Sequence, residues 1–367
     1  MEKVYDAHVH HLMEVPIDDA IEIFKEDFEW QGMEKYIFLA ISHETNTDNT
    51  QVLTFHLQNA KCLFLKREFS PNAYAFASLV HPDDYSDPDA VAEDFLRQTK
   101  EYMSAGFDGI KMLEGYPSLL KLRKIPLDSP MFDKFYAYCE ENAIPITSHI
   151  ANPKDNWDPA LVSEYNVSVG RAYDDTYPTK EEITEQTFRV LEKYPRLRLS
   201  LAHCGFLTYD ISEMERFLSF ENTIADITPG GEQLFNMAAE WDKWLPLIEK
   251  YQDRFVYGTD FYAFQRKPDG SVSHNGRPVF LRQFFETDEE HTYITETFRG
   301  VKLDKSLRDK IYRENFARLY PEPKKVDDKW LVNEVERVYR EKKFRFRLEE
   351  RDCEYILGKV KQSVSDK

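Results

Sequence analysis

The chain has 367 residues, 42% hydrophobic and 31% charged, so a sizeable core coexists with a well-solvated surface. Its formal net charge of -18 argues against nucleic acid and anionic membranes as partners, since both need basic patches, and there is no run of about 18 apolar residues to predict a membrane span. Cys62, Cys139, Cys204 and Cys353 form no CxxC pair; without zinc-finger or redox spacing, and with no signal-type segment before the first strand, they read as reduced thiols in a cytoplasm.

Residues 4–10, Val-Tyr-Asp-Ala-His-Val-His, read as a strand, in which alternate residues share a face, so Asp6, His8 and His10 point the same way. Two imidazoles two residues apart at a strand end can converge on one metal ion. Strands are predicted over 36–41 and 74–80, the second stopped by His81-Pro82. Residues 89–104 have helical spacing, with Val91, Phe95, Leu96 and Met103 near one stripe. A short strand at 109–113, a helix over 130–141 and a strand over 144–150 containing His149 follow. Thr179-Lys180-Glu181-Glu182 is a capping box, starting a helix that runs to about Tyr194. Strands at 197–203, 222–227 and 255–260 and a closing helix over 303–319 complete the pattern.

Eight strands, mostly separated by helical stretches, predict parallel βαβ units and an α/β class chain closed as a (β/α)8 TIM barrel. A doubly wound sheet would carry a glycine-rich loop after its first strand, where this chain has His8-Val9-His10-His11. Two long connections, 152–178 and 261–279, follow the fifth and eighth strands and so lie on the C-terminal face. The second carries turn signals at Lys267-Pro268-Asp269-Gly270 and Asn275-Gly276. Residues 1–322 are read as the barrel. Residues 323–367, charged but with Trp330, Leu331, Val335, Val338 and Tyr339 interleaved, are read as a helical extension packed on it or at the contact of a homodimer.

His8, His10, Lys111, His149, His203 and Asp260 all stand at predicted strand ends. Barrel interiors are normally filled by apolar side chains, so ionisable groups at the ends of several strands mark a site. Histidines with a carboxylate suit a catalytic Zn²⁺ or similar ion, which acidifies water to a pKa of roughly 7. Plainer readings stand beside these. Asp260 can cap a turn, Lys111 can pair with a core carboxylate, and His203 can be a hydrogen-bonded core imidazole. His11, His43 and His81 also lie near strand ends, with His81 read as structural. Trp157, Tyr173 and Tyr177 either line a pocket or anchor their loop. Arg171 has the fork that grips a carboxylate.

Asp6-Ala7-His8-Val9-His10, Gly109-Ile110-Lys111, Thr147-Ser148-His149, Leu201-Ala202-His203-Cys204-Gly205, Tyr257-Gly258-Thr259-Asp260 and Glu314-Asn315-Phe316-Ala317-Arg318-Leu319-Tyr320 occur in that order. With them the chain resembles the amidohydrolase superfamily, specifically the amidohydrolase 2 branch of metal-dependent TIM-barrel hydrolases and decarboxylases. The resemblance implies one divalent transition metal, Zn²⁺, held by His8, His10, His149 and Asp260. It implies that Asp260 also takes a proton from the activated water and that His203 polarises the substrate. Lys111 is expected as an unmodified substrate contact rather than a carbamylated bridge between two metals, with Arg171, Tyr173 and Trp157 on the substrate side. The expected activity is hydrolysis of an amide, lactone or ester of a small carboxylated molecule. Decarboxylation on the same site is the alternative, and a non-catalytic metal- or ligand-binding barrel a further one.

Overall fold

The computed structural model describes residues 2–11, 15–230, 233–264, 266–269, 271–272, 276–294 and 296–365. Strand β1 (Val4–His10) is followed by β2 (Met33–Leu39) and a two-stranded ribbon, β3 (His43–Thr45) with β4 (Val52–Thr54). Then come β5 (Ala73–Ser78), β6 (Gly109–Gly115), β7 (Ile146–Ile150), β8 (Leu199–Leu201), β9 (Thr223–Asp226), β10 (Phe255–Val256) and β11 (Phe261–Tyr262). The main sheet runs β10-β9-β8-β7-β6-β5-β2-β1-β11, parallel at every pairing. Its strands are buried on both faces, which is why they read as near-continuous apolar runs and not as alternation.

The two edges of this sheet belong to one stretch of chain. β10 pairs with β9 through Phe255↔Ala225, and β11 pairs with β1 through Val9↔Phe261 and His10↔Tyr262. Ala7 N–H donates to the Tyr257 carbonyl at 2.9 Å across the same seam. Residues 255–262 are thus one barrel strand with an interruption, and the ring closes as a (β/α)8 TIM barrel. The eighth strand expected at 255–260 breaks after Val256, and Asp260 adopts φ +51°. Asp6 holds the interruption from below: its Oδ1 accepts from the backbone N–H of His8 (2.8 Å) and Thr259 (3.1 Å), and its Oδ2 from the Thr259 hydroxyl (2.5 Å).

Ala7, Ile37, Leu39, Tyr74, Phe76, Ile224 and Val256 form an apolar cluster with Phe316 and Tyr320 of the closing segment. That segment, expected as one helix, comprises Lys305–Asp309, a wider turn at Lys310–Glu314 and Asn315–Leu319. With one end of the barrel filled by aromatic rings, the polar strand ends occupy the other. The capping box is present, with Glu182 N–H to Thr179 Oγ1 at 3.1 Å and Thr179 N–H to Glu182 Oε2 at 2.7 Å. The 152–178 connection carries a 3₁₀ turn (Lys154–Trp157) and a short helix (Glu164–Ser168). In the 261–279 connection, Gly270 and Asn275 of the two expected turns lie outside the described residues.

The C-terminal segment is built of helices. It forms two, Asp328–Glu341 and Leu348–Ser365, because the first ends at Lys342 in the left-handed conformation, φ +50°. Trp330 packs edge-on against Tyr102 and Phe107, and Asp352 accepts from Lys61 Nζ at 2.6 Å with both side chains fully buried. Among the described residues no helix is long and apolar enough to cross a membrane.

Candidate metal centre

His8 and His10 point into the barrel mouth from the end of β1, their Nε2 atoms 2.9 Å apart. The other ring nitrogens settle the tautomers. His10 Nδ1 lies 2.7 Å from the Leu39 carbonyl, which can only accept, so Nδ1 carries the proton. His8 Nδ1 lies 2.6 Å from Asp226 Oδ2, while the Thr228 hydroxyl donates to Asp226 Oδ1, so His8 Nδ1 donates to the carboxylate. Both Nε2 atoms then present bare lone pairs to each other. Burial pushes His10 down to about 4 and His8 well below its ordinary value, so a proton shared between them is disfavoured as well. Two lone pairs at this distance, out of water, are arranged as a cation would be held by both.

Asp260 supplies the charge such a cation needs. Its Oδ1 lies 3.4 Å from His10 Nε2 and 3.7 Å from His8 Nε2. With bonds of roughly 2.0–2.1 Å, ligand atoms around a tetrahedral ion stand about 3.3 Å apart, and the three spacings bracket that value. Arg277 Nη1 donates to both Oδ2 and the backbone carbonyl of Asp260, each at 2.6 Å, leaving Oδ1 free to face the imidazoles. Burial alone would raise this carboxyl; Arg277 and the imidazoles of His8, His10 and His203 outweigh it and hold the group far below the usual range. It stays ionised at any physiological pH.

His203 reaches the centre by another left-handed turn, with φ +54° at His203, +49° at Cys204 and +61° at Gly205. This is why the sixth strand stops at Leu201 and not at His203 as expected. The His203 ring lies 5.2 Å from His8 and 5.1 Å from His149, centroid to centroid, and stacks on Phe206. A side chain at Gly230 would run into the His203 imidazole, and one at Gly258 into Asp226, Thr228 and His8, so backbone packs directly against the site at both points.

The remaining expected site residues fall into two groups. His149 stands beside His203 and outside the tight set of His8, His10 and Asp260; its Nε2 is 3.3 Å from Asn152 Oδ1 and burial pushes it down to about 3. Lys111 points into the mouth from β6, and its Nζ is buried without a hydrogen-bond partner. Burial brings it down to about 8, against the pull of Asp226, Asp260 and Glu114. Further out, Arg171 Nε donates to Tyr116 OH at 3.0 Å, and the Tyr116 ring packs 5.5 Å from that of His149. Tyr173 receives Asn152 Nδ2 at 2.5 Å, while the Trp157 ring packs at a tilt against Tyr173, 4.7 Å between centroids, and spends its indole N–H on the Pro178 carbonyl.

The amidohydrolase family model matches residues 6–321. The chain belongs to the amidohydrolase family. Among solved structures, an uncharacterised TIM-barrel protein from Bordetella bronchiseptica is similar at 14% identity, covering 87% of this chain and 98% of that one with a TM-score of 0.54. A 4-oxalomesaconate hydratase from Rhodopseudomonas palustris is 14% identical, with 87% and 95% coverage and a TM-score of 0.53. IDCase from Metarhizium anisopliae, in apo form, is 13% identical, with 86% and 96% coverage and a TM-score of 0.51. A comparison with curated proteins finds no match. At these identities the structural likeness establishes the shared barrel, and the family match makes the chain an enzyme of the amidohydrolase type.

Within this amidohydrolase, three site residues escape sequence reading: Asp226, Thr228 and Arg277. Asp226 had a signal, since it ends an apolar run as His203 does. Arg277 had none, because it comes to Asp260 across a connection whose path is not encoded locally.

Proposed function

We propose that this amidohydrolase is a metal-dependent hydrolase that cleaves an amide, lactone or ester of a small carboxylated molecule in the cytoplasm. The observation that carries the reading is the pair of Nε2 atoms of His8 and His10, 2.9 Å apart beside Asp260 Oδ1. His8, His10 and Asp260 would hold one divalent transition metal, Zn²⁺ by donor type, with His149 as a fourth ligand. Bound there, such an ion supplies Lewis acidity and an acidified water.

The chain's own groups do the rest. Asp260 accepts the proton released from the attacking water, while Arg277 keeps its other oxygen engaged and its orientation fixed. His203, its Nδ1–H directed to the Thr228 carbonyl at 3.3 Å, stands beside His8 and His149 and polarises the substrate there. Lys111, unmodified, pairs with a substrate carboxylate, the partner its buried ammonium lacks within the protein. Arg171 and Tyr173 flank the outer end of the substrate, with Trp157 supporting Tyr173. In this reading residues 1–322 form the catalytic barrel and 323–367 an extension.

Decarboxylation uses the same cation and the same carboxylate contact, so the deciding measurement is the fate of solvent oxygen. Carboxylated lactones, esters and N-acyl compounds are turned over in ¹⁸O-water, alongside aromatic and unsaturated acids with CO₂ detection. Hydrolysis predicts one labelled oxygen per turnover, in the carboxylate formed, and no CO₂. CO₂ release with no label in the organic product overturns it in favour of the lyase. Metal analysis closes the argument: about one ion per chain in wild type, with strong loss of metal and activity in His8→Ala and Asp260→Asn. Wild type that stays metal-free after reconstitution sinks both readings.

A further inference from the structure

A second group of buried ligand-type side chains lies at the same rim. His43 opens β3 after β2, His81 follows β5, and Glu114 stands near the end of β6. All three are buried; His81 Nε2 is 2.9 Å from Glu114 Oε1, and His43 Nε2 is 3.7 Å from the same oxygen. The back of each ring is anchored. Ser42 Oγ donates to the Leu79 carbonyl at 2.6 Å, so toward His43 Nδ1, 3.1 Å away, it accepts. His43 is thereby held as the Nδ1–H tautomer, with Nε2 bare. His81 Nδ1 meets the Tyr85 hydroxyl at 2.9 Å. Neither His43 Nε2 nor Glu114 Oε2 has a hydrogen-bond partner. A bare imidazole nitrogen facing a buried carboxylate is unfavourable until a cation joins them.

We propose that His43, His81 and Glu114 form a second divalent transition-metal site, distinct from the centre at His8, His10 and Asp260. Two imidazoles and one carboxylate are a donor set that holds Zn²⁺ or Co²⁺ with a position left for water. The 2.9 and 3.7 Å spacings again bracket the edge of about 3.3 Å expected around a tetrahedral ion. Ser42 and Tyr85 are the outer partners that orient ligating imidazoles. Binding costs His81 its hydrogen bond to Glu114: its proton passes to Nδ1, which then donates to the Tyr85 oxygen. The first site has no such hydrogen bond to give up, so this site binds more weakly than the first.

The test is titration of the metal-stripped full-length protein with Co²⁺, read by visible absorption and by elemental analysis after desalting. Wild type is expected to take two equivalents in two phases. Glu114→Gln, which still accepts from His81, loses the weaker phase or weakens it at least tenfold, and His43→Gln does the same. His8→Ala loses only the tighter phase. A single equivalent in wild type, abolished by His8→Ala and untouched by Glu114→Gln and His43→Gln, overturns the proposal. A single equivalent that survives His8→Ala and disappears in Glu114→Gln upholds it and removes the ion from the proposed reaction. The wild-type count, together with the two independent variants, decides the matter even if one variant fails to fold.

Discussion

The tautomers of His8 and His10 are set from outside the pair, by Asp226 and by the Leu39 carbonyl. Asp226→Asn keeps the volume but lets an amide N–H face His8 Nδ1, which can flip the tautomer and cover the Nε2 lone pair. Metal affinity is expected to fall about 10–100-fold with the fold intact, as is usual when an outer partner of a ligating His is altered; competition with a chromogenic chelator measures it, and unchanged affinity counts against the tautomer argument. Asp6 differs in kind, because it accepts three hydrogen bonds in the barrel seam and touches no substrate. Asp6→Ala leaves buried N–H groups unpaired and is expected to cost about 1–3 kcal/mol in chemical denaturation. His8 and His10 were legible because a period of two on a strand is a local rule. Asp6 carried the same period, but its seam role depends on Thr259, far along the chain.

At the scale of elements, the order of strands was readable and their ends were not. Each strand is a doubly buried apolar run closed by a turn signal, so its existence follows from composition. Where it ends is decided by what it meets. β8 stops at Leu201 because His203, Cys204 and Gly205 take left-handed conformations, and β11 begins only after the left-handed Asp260; His and Asp adopt this conformation more often than most residues, but residue type alone does not mark where. The break between the two C-terminal helices is hidden in the sequence for a similar reason: Lys342 looks like helix interior by propensity, yet it terminates Asp328–Glu341. The turn before Asp260 leads to a specific expectation. Gly258 lies against Asp226, Thr228 and His8, so Gly258→Ala pushes backbone away from the site. Metal affinity should drop by more than the loss in melting temperature would suggest. Equal, small losses in both would show that the contact has room to relax.

For the whole molecule, the question is what the C-terminal helix does for a barrel that already closes on itself. Asp352 answers it. One oxygen receives Lys61 Nζ at 2.6 Å and the other the backbone N–H of Ile17 at 2.9 Å, so Leu348–Ser365 caps the first barrel helix, Ile17–Gln31, which has no side-chain cap of its own. Arg351 adds a contact to Asp18 in the same first turn. That helix follows β1, the strand carrying His8 and His10, so the extension is fastened directly to the element that follows this pair. A fully buried ion pair is costly to break from one side, since the surviving charge keeps its desolvation penalty without its partner. Asp352→Leu is therefore expected to destabilise by about 3–5 kcal/mol and Lys61→Met by a similar amount. The double variant Lys61→Met with Asp352→Leu should recover much of that loss, short of the Ile17 cap, worth roughly 1 kcal/mol. Denaturation midpoints of the four proteins measure the coupling. If the two single losses simply add in the double variant, Lys61 and Asp352 act independently, and the extension is held by its apolar face alone.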